Sequence, residues 1–298
     1  MAEKKVVFAE FSLFIITIIW GLGFPITKLA VNYGFEANTI MVGRFLTATV
    51  ILGLIYVRRL KHLNKDIILY GSITGLFLFL GFYFQTLGSV HTTPSKNGFI
   101  TQLNIVFVPY LYYLFFKKKV DIFNIVSVVV AIIGLFILSY NPEGFRGINI
   151  GDVYTFICAI MVAFNVVTGS FFQKKYNFDP ALFVLVNIFI SMIFSVVFMG
   201  LFDTYPEITV LSLWPLLVLG IFNTALGFLV QSYALKISLP TKVSLIVALE
   251  SVFGVVGSVL IIGEMLTLRL VIGGLLIISG IVITEIKPFR KRRMVRLT

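Results

Sequence analysis

Residues 80–107 read LGFYFQTLGSVHTTPSKNGFITQLNIVF, and residues 226–253 read LGFLVQSYALKISLPTKVSLIVALESVF. The second stretch begins 146 residues after the first. Laid over one another without a gap, Leu80-Gly81-Phe82 meets Leu226-Gly227-Phe228 and Gln85 meets Gln231. Pro94-Ser95-Lys96 meets Pro240-Thr241-Lys242, Leu103 meets Leu249, and Val106-Phe107 meets Val252-Phe253. The register holds to residue 137, with Gly134 opposite Gly280, and yields 14 identities in 58 positions. So apolar a composition would give roughly 6 by chance, and self-similarity at one fixed offset reads as an internal repeat.

The repeated material is written in membrane composition. Of the 298 residues, 59% are hydrophobic and 12% are charged, about half the charged share of a soluble domain. Mean hydropathy is +1.03. That excludes an ordinary soluble enzyme and a disordered chain. The lone cysteine, Cys158, excludes an intrachain disulfide or a two-cysteine metal or redox motif. About 20 mostly apolar residues are needed for a helix to cross a bilayer. Ten such stretches are predicted: 9–31, 38–57, 66–88, 95–116, 121–140, 151–173, 180–201, 211–235, 240–262 and 267–286. Short polar breaks separate them, such as Asn64-Lys65-Asp66, Asn141-Pro142-Glu143-Gly144 and Asp179-Pro180. The first stretch reads as a span rather than a cleavable signal, because its apolar run continues through Trp20-Gly21-Leu22-Gly23-Phe24-Pro25. The expected fold class is an all-α integral membrane protein, a single membrane domain of two halves, 1–146 and 147–298.

Basic residues orient the spans. With the N-terminus in the cytoplasm, 19 of the 24 Lys and Arg residues fall on the inner side. They include Arg58, Arg59, Lys61 and Lys65, Lys117 to Lys119, Lys174 and Lys175, and the tail Arg290-Lys291-Arg292-Arg293. The outer loops keep Arg146 and Arg269, with Lys96 at a helix end, and carry Glu36, Glu143, Asp152, Asp203, Glu207 and Glu264. One missing span would invert every later loop, so the sorting predicts cytoplasmic N- and C-termini. The net charge of +11 is then a topology signal, with the tail against anionic lipid at the cytoplasmic face, and no nucleic-acid partner is expected.

A five-span unit is odd, so the second copy enters from the opposite side. Ten transmembrane helices as two inverted five-helix repeats around a central cavity is a common transporter plan. The motifs resemble a known group. Trp20-Gly21-x-x-Phe24-Pro25 near Lys28, Arg44 in the second span, and Gly263-Glu264-x-Leu266-Thr267 followed by Ile272-Gly273-Gly274 and Gly280 are similar to the EamA family of the drug/metabolite transporter superfamily. The resemblance covers nearly the whole chain. It implies a ten-helix exporter with its substrate cavity between the halves, in a family whose members export amino acids and related metabolites. Two positions depart from the family pattern. Lys118 stands where the second repeat has Glu264, and Ser251 stands where a proline usually follows the ninth-span glutamate.

Charge at membrane depth is costly and marks cavities or partners. Glu250 is the one carboxylate deep within a span, and it aligns with Asn104. It is expected to bind a substrate cation or carry a coupling proton; the alternative is a packing residue hydrogen-bonded to a neighbouring helix. Lys28 and Arg44 can snorkel to outer headgroups or pair with Glu250 or a substrate carboxylate. Among neutral polar residues at depth, Gln85, Gln102, Asn104, Asn165 and Asn223 are assigned to the cavity, although buried amides also serve as interhelical glue. Trp20, beside Gly21 and Gly23, is expected to line it, and Pro25 is a candidate kink. Gly71-x-x-x-Gly75 is a close-packing spacing.

The expected function is a secondary transporter exporting small polar metabolites, amino acids first, across the plasma (inner) membrane by alternating access. Purines, sugar phosphates and cationic drugs are the alternative solutes, and a pore or non-transporting helper is the remaining reading. An intramembrane enzyme is set aside, since no His-Glu-x-x-His, Gly-x-Ser-x-Gly or paired aspartates occur. No cofactor, nucleotide or metal is expected, and a homodimer is left open.

Overall fold

A computed structural model describes residues 2–117, 122–139, 149–203, 212–238 and 240–285, and all regular structure among them is helical. The order is α1 Ala2–Asn32, α2 Ala37–Ile55, α3 Lys65–His91, α4 Pro94–Thr101, α5 Asn104–Phe116, α6 Ile122–Ser139 and α7 Ile150–Tyr176. There follow α8 Pro180–Phe202, α9 Trp214–Val218, α10 Gly227–Ile237, α11 Pro240–Ala248, α12 Glu250–Ile262 and α13 Leu268–Glu285. A 3-10 turn, Val57–His62, follows α2, and a π-helical stretch, Leu219–Leu226, joins α9 to α10.

Seven helical runs are long and apolar enough to cross a bilayer: Val6–Asn32, Ala37–Ile55, Lys65–His91, Pro94–Phe116, Ile150–Tyr176, Pro180–Phe202 and Trp214–Ile237. Shorter apolar helices occupy Ile125–Ile137, Ile246–Ile262 and Leu268–Gly280. The protein is a multipass, all-helical membrane protein. Large apolar side chains such as Leu54, Phe136, Leu201 and Leu260 are left exposed, a surface that lipid covers. The basic tail beyond residue 285 and the loop lysines Lys118 and Lys119 lie outside the described residues.

The turn signals act through backbone chemistry. Asn64, Asn149 and Asp179 each cap a helix, accepting from the N–H of Ile67, Gly151 and Ala181 at 2.8, 2.7 and 2.9 Å. Pro94 and Pro240 open α4 and α11, where a missing N–H costs nothing. Helix α1 is assigned as one unbroken helix through Pro25.

The fourth and ninth apolar stretches differ from the expectation of single helices. The fourth is broken between α4 and α5, and the ninth between α11 and α12. At the first break Leu103 N–H bonds the Ile100 carbonyl at 3.1 Å, and Val106 N–H bonds Leu103 at 2.9 Å. At the second, Leu249 bonds Ile246 at 3.3 Å and Val252 bonds Leu249 at 3.0 Å. Both pairs are tightened i to i−3 bonds, and they stand 146 residues apart. Polar side chains secure each turn. Asn104 Nδ2 donates to the Thr101 carbonyl at 2.9 Å, and Ser251 Oγ donates to Ala248 at 2.9 Å.

Packing across the halves is reciprocal. Helix α1 lies chiefly on α12, α10 and α11, whereas α7 lies chiefly on α3, α5 and α4. Helices α3 and α7 run antiparallel. Tyr176 at the end of α7 donates to Tyr70 near the start of α3 at 2.8 Å, while Gly151 at the start of α7 meets His91 at the end of α3. The Gly71-x-x-x-Gly75 spacing works as expected, against α8. A Cβ on Gly75 would sit 2.8 Å from the Asn187 carbonyl oxygen, so only glycine permits the approach.

Candidate functional site

A central cavity of about 730 Å³, its mouth included, is enclosed by α1, α2, α3, α4, the start of α5, α7, the π-helical stretch, α10, α11 and the start of α12. The helix breaks put polar groups on its wall. Trp20, Arg44, Gln85, Gln102, Asn104, Asn165, Asn223 and Glu250 all line it, beside an apolar wall that includes Phe24, Leu78, Phe82 and Phe228.

The two breaks meet at the cavity. Gln102 lies in the first, and Glu250 is the first residue after the second. Gln102 Nε2 donates to Glu250 Oε2 at 3.1 Å. This bond is consistent with either sequence-based reading of Glu250, since it ties two helices and also leaves Oε1 of the carboxylate available. The side chain is only half-buried, so the cavity reaches it.

The π-helical stretch makes a second wall. Its wider turn is seen in Thr224 Oγ1 donating five residues back, to the Leu219 carbonyl, at 2.9 Å. Such turns are common at functional sites. Trp20 Nε1 donates to the Asn223 carbonyl at 2.6 Å, and Asn223 Nδ2 donates in return to the Ile19 carbonyl at 2.9 Å. These reciprocal bonds fasten α1 to the stretch. Arg44 is 4% exposed. Its Nε donates to Thr224 Oγ1 at 3.0 Å, and its guanidinium lies over the Phe82 ring at 4.1 Å. Arg44 and Glu250 interact electrostatically without forming an ion pair within 4.0 Å. The outer nitrogens of Arg44 and the free oxygen of Glu250 therefore remain for another partner.

Two more acceptors are unfilled. Gln102 Oε1 and Asn223 Oδ1 are buried without a hydrogen bond, a state that costs about 1–3 kcal/mol each until a donor arrives. Gln85 belongs to a connected network: its Nε2 donates to Thr101 Oγ1 at 3.4 Å, and its carbonyl accepts from Asn97 Nδ2 at 2.8 Å. Asn165 Nδ2 donates to the Thr74 carbonyl at 3.0 Å, holding α7 against α3.

Lys28 is the one site candidate not brought to this cavity. Its ammonium donates to the carbonyls of Ser89, Val90 and Thr92 at 2.7, 3.3 and 3.4 Å, at the C-terminal end of α3. It forms no ion pair with Glu250 within 4.0 Å. Sequence reasoning also left Gln231, Thr101, Ser89 and Thr27 out of the lining set. For Gln231 the signal was present, because it is the repeat partner of Gln85.

Two copies of the sequence pattern of the EamA-like transporter family match this chain, over residues 7–140 and 149–286. A protein of Archaeoglobus fulgidus named an uncharacterized transporter is 29% identical over 286 residues, covering 95% of this chain and 87% of that one. The uncharacterized transporter YvbV of Bacillus subtilis (strain 168) is 25% identical, covering 91% and 90%. A solved crystal structure aligns over 92% of this chain and 96% of its own with a TM-score of 0.66 at 15% identity, a likeness of fold alone. The chain belongs to the EamA-like transporter family, and the coarse function that follows is solute transport across a membrane.

Proposed function

We propose that the protein is a secondary exporter of small zwitterionic metabolites, amino acids first, working by alternating access in the plasma membrane. On this reading ten spans form two inverted five-helix halves, 1–146 and 147–298, with both termini in the cytoplasm. The observation that carries it is the joining of the two repeat-related helix breaks through Gln102 and Glu250 at the cavity. Symmetry-related breaks at a binding site let two halves exchange arrangements around a fixed centre.

The chemistry of the wall favours a zwitterion. Arg44 offers a guanidinium with free donors suited to a carboxylate. Glu250, with the unfilled oxygens of Gln102 and Asn223, offers acceptors suited to an ammonium. A solute carrying both groups satisfies both sides of the site, whereas a simple amine or a dicarboxylate leaves one side unmet.

Purified protein in proteoliposomes, given a radiolabelled panel with and without a pH gradient, is expected to accumulate amino acids above primary amines, dicarboxylates, purines and sugar phosphates. Preference for any of the latter overturns the substrate assignment. For the topology, tags at both ends are expected to stay unlabelled from outside intact cells; external labelling of either tag overturns the orientation.

A further inference from the structure

A lysine near the end of α1 and a lysine near the end of α7 make the same contact, and they stand 146 residues apart. Lys28 Nζ donates to the Thr92 carbonyl at 3.4 Å, besides Ser89 and Val90, and Lys174 Nζ donates to the Ser238 carbonyl at 2.7 Å. Thr92 and Ser238 are themselves 146 apart. Each is an extended C-cap residue, closing α3 and α10 with an N–H to the Gly88 and Ala234 carbonyls. The two contacts lie at opposite ends of the bundle, because α3 and α7 are antiparallel and Lys174 sits where α3 begins.

Each contact crosses a thin seam. Helix α1 is packed on α10, α11 and α12 and touches α3 only lightly; α7 is packed on α3, α4 and α5 and touches α10 only lightly. The lysines tie together two pairs of helices, α1 with α3 and α7 with α10, that pack on one another only lightly. They also stand at the ends of the cavity. Thr27, the neighbour of Lys28, and Ser89, its nearest acceptor, line the central cavity. On the far side of the ammonium lies a recess of about 790 Å³, mouth included, lined by Lys28, Val90, Thr92, Lys96 and Glu264 among others. Towards the other end a smaller pocket of about 310 Å³ shares Leu78, Asn165, Phe228 and Gln231 with the central cavity. It is also lined by Gln173 and Leu235, the repeat partners of Thr27 and Ser89.

We infer that Lys28 and Lys174 are matched positioning residues of the transport cycle, each latching the cavity shut at its own end. This rests on the alternating-access reading above. When one ammonium lets go, the capped end of α3 or α10 separates from α1 or α7 and the cavity opens on that side. The flexible four-carbon stem suits the task, since the released head moves into water. One charge-assisted hydrogen bond biases an equilibrium by about tenfold or somewhat more, enough to shift the balance between two states a few kcal/mol apart. Lys236, which donates to the Phe178 carbonyl at 2.9 Å, supports the Lys174 latch across the same seam.

The test is sided labelling of the full-length protein in membrane vesicles by a membrane-impermeant thiol reagent. The reporter is Leu78→Cys, which lines both the central cavity and the smaller pocket; Cys158 is fully buried and is replaced by Ser. In Lys28→Met, labelling from the outer side is expected to rise about tenfold relative to labelling from the inner side. In Lys174→Met, or Lys174→Met with Lys236→Met, the ratio is expected to move the opposite way. Lys28→Arg is expected to restore it. A merely structural lysine lowers protein yield without a sided shift, so ratios that stay fixed, or move the same way in both variants, overturn the latches. Labelling needs no substrate, so this result is independent of the uptake panel. Absence of amino-acid uptake by the wild type overturns the substrate reading and leaves the latches to be decided by the ratio.

Discussion

Replacing Glu250 with glutamine is expected to lower transport about 100-fold at limiting substrate while leaving the amount of folded protein unchanged. The isosteric amide keeps the side chain's volume, and its carbonyl oxygen still accepts from Gln102 Nε2, the bond seen at 3.1 Å. What is lost is the charge. Without it, a substrate ammonium loses its ionic partner, and the free donors of Arg44 lose the attraction that balances the site. Hydrogen bonds to charged groups are worth about 1.5–3 kcal/mol, and ~1.4 kcal/mol is a factor of ten, so one such contact with its Coulomb attraction gives an effect near two orders of magnitude. Wild-type transport in this variant would return Glu250 to a packing role.

The same variant separates the two functional readings of the carboxylate. If Glu250 carries a coupling proton, Glu250→Gln loses accumulation driven by a pH gradient but still exchanges labelled for unlabelled substrate at equal pH on both sides. If Glu250 holds the ammonium, exchange is lost too, and the residual flux shows a raised KM. Combining it with Arg44→Gln adds a further check. Two charges acting on one zwitterion are coupled through that ligand, so the double variant should lose less than the product of the two single losses.

What the sequence made legible was whatever rests on local chemistry. The seven long apolar helices, the proline-initiated helices at Pro94 and Pro240, and the turns at Asn64 and Asp179 follow from hydropathy and backbone geometry. The cavity set was legible too, because an amide or carboxylate at membrane depth needs a partner, and Gln85, Gln102, Asn223 and Glu250 had few places to find one. The breaks were not. Leu103 and Leu249 have no glycine or proline beside them to mark a break, and at the turns Asn104 and Ser251 bond backward to Thr101 and Ala248. A clue existed in the aligned pair Asn104 and Glu250, each the first residue of a restarted helix. The π-helical stretch Leu219–Leu226 was equally hidden, since its register depends on Trp20 and Asn223 bonding across helices. For Lys28 the sequence offers headgroups, Glu250 or a substrate as partners and does not reveal the carbonyls of Ser89, Val90 and Thr92, because backbone carbonyls at the end of another helix leave no mark in composition.

Even the smallest side chain at Gly21 is expected to disrupt the protein, and the position links packing to the site. Helix α1 approaches α12 so closely there that a Cβ would lie 2.5 Å from Phe253 Cβ, 2.7 Å from the Glu250 carbonyl oxygen and 2.8 Å from the Gly254 nitrogen. Two of these neighbours are backbone atoms, which no rotamer change moves aside. The helices must separate instead, at a cost of about 1–3 kcal/mol or more, and the separation drags Glu250 away from Gln102. Gly21→Ala should therefore lower the melting temperature of the detergent-solubilised protein by several degrees and reduce transport together with it; Gly21→Val should fail to accumulate as folded protein. Gly53 is the control. It lies inside α2, and a Cβ added there would meet nothing within 4 Å, while alanine is the better helix former. Gly53→Ala should leave melting unchanged or raise it. A Gly21→Ala protein that melts like the Gly53→Ala control and transports normally would mean that the α1–α12 contact is looser than this packing requires, and that Glu250 does not depend on it for its position.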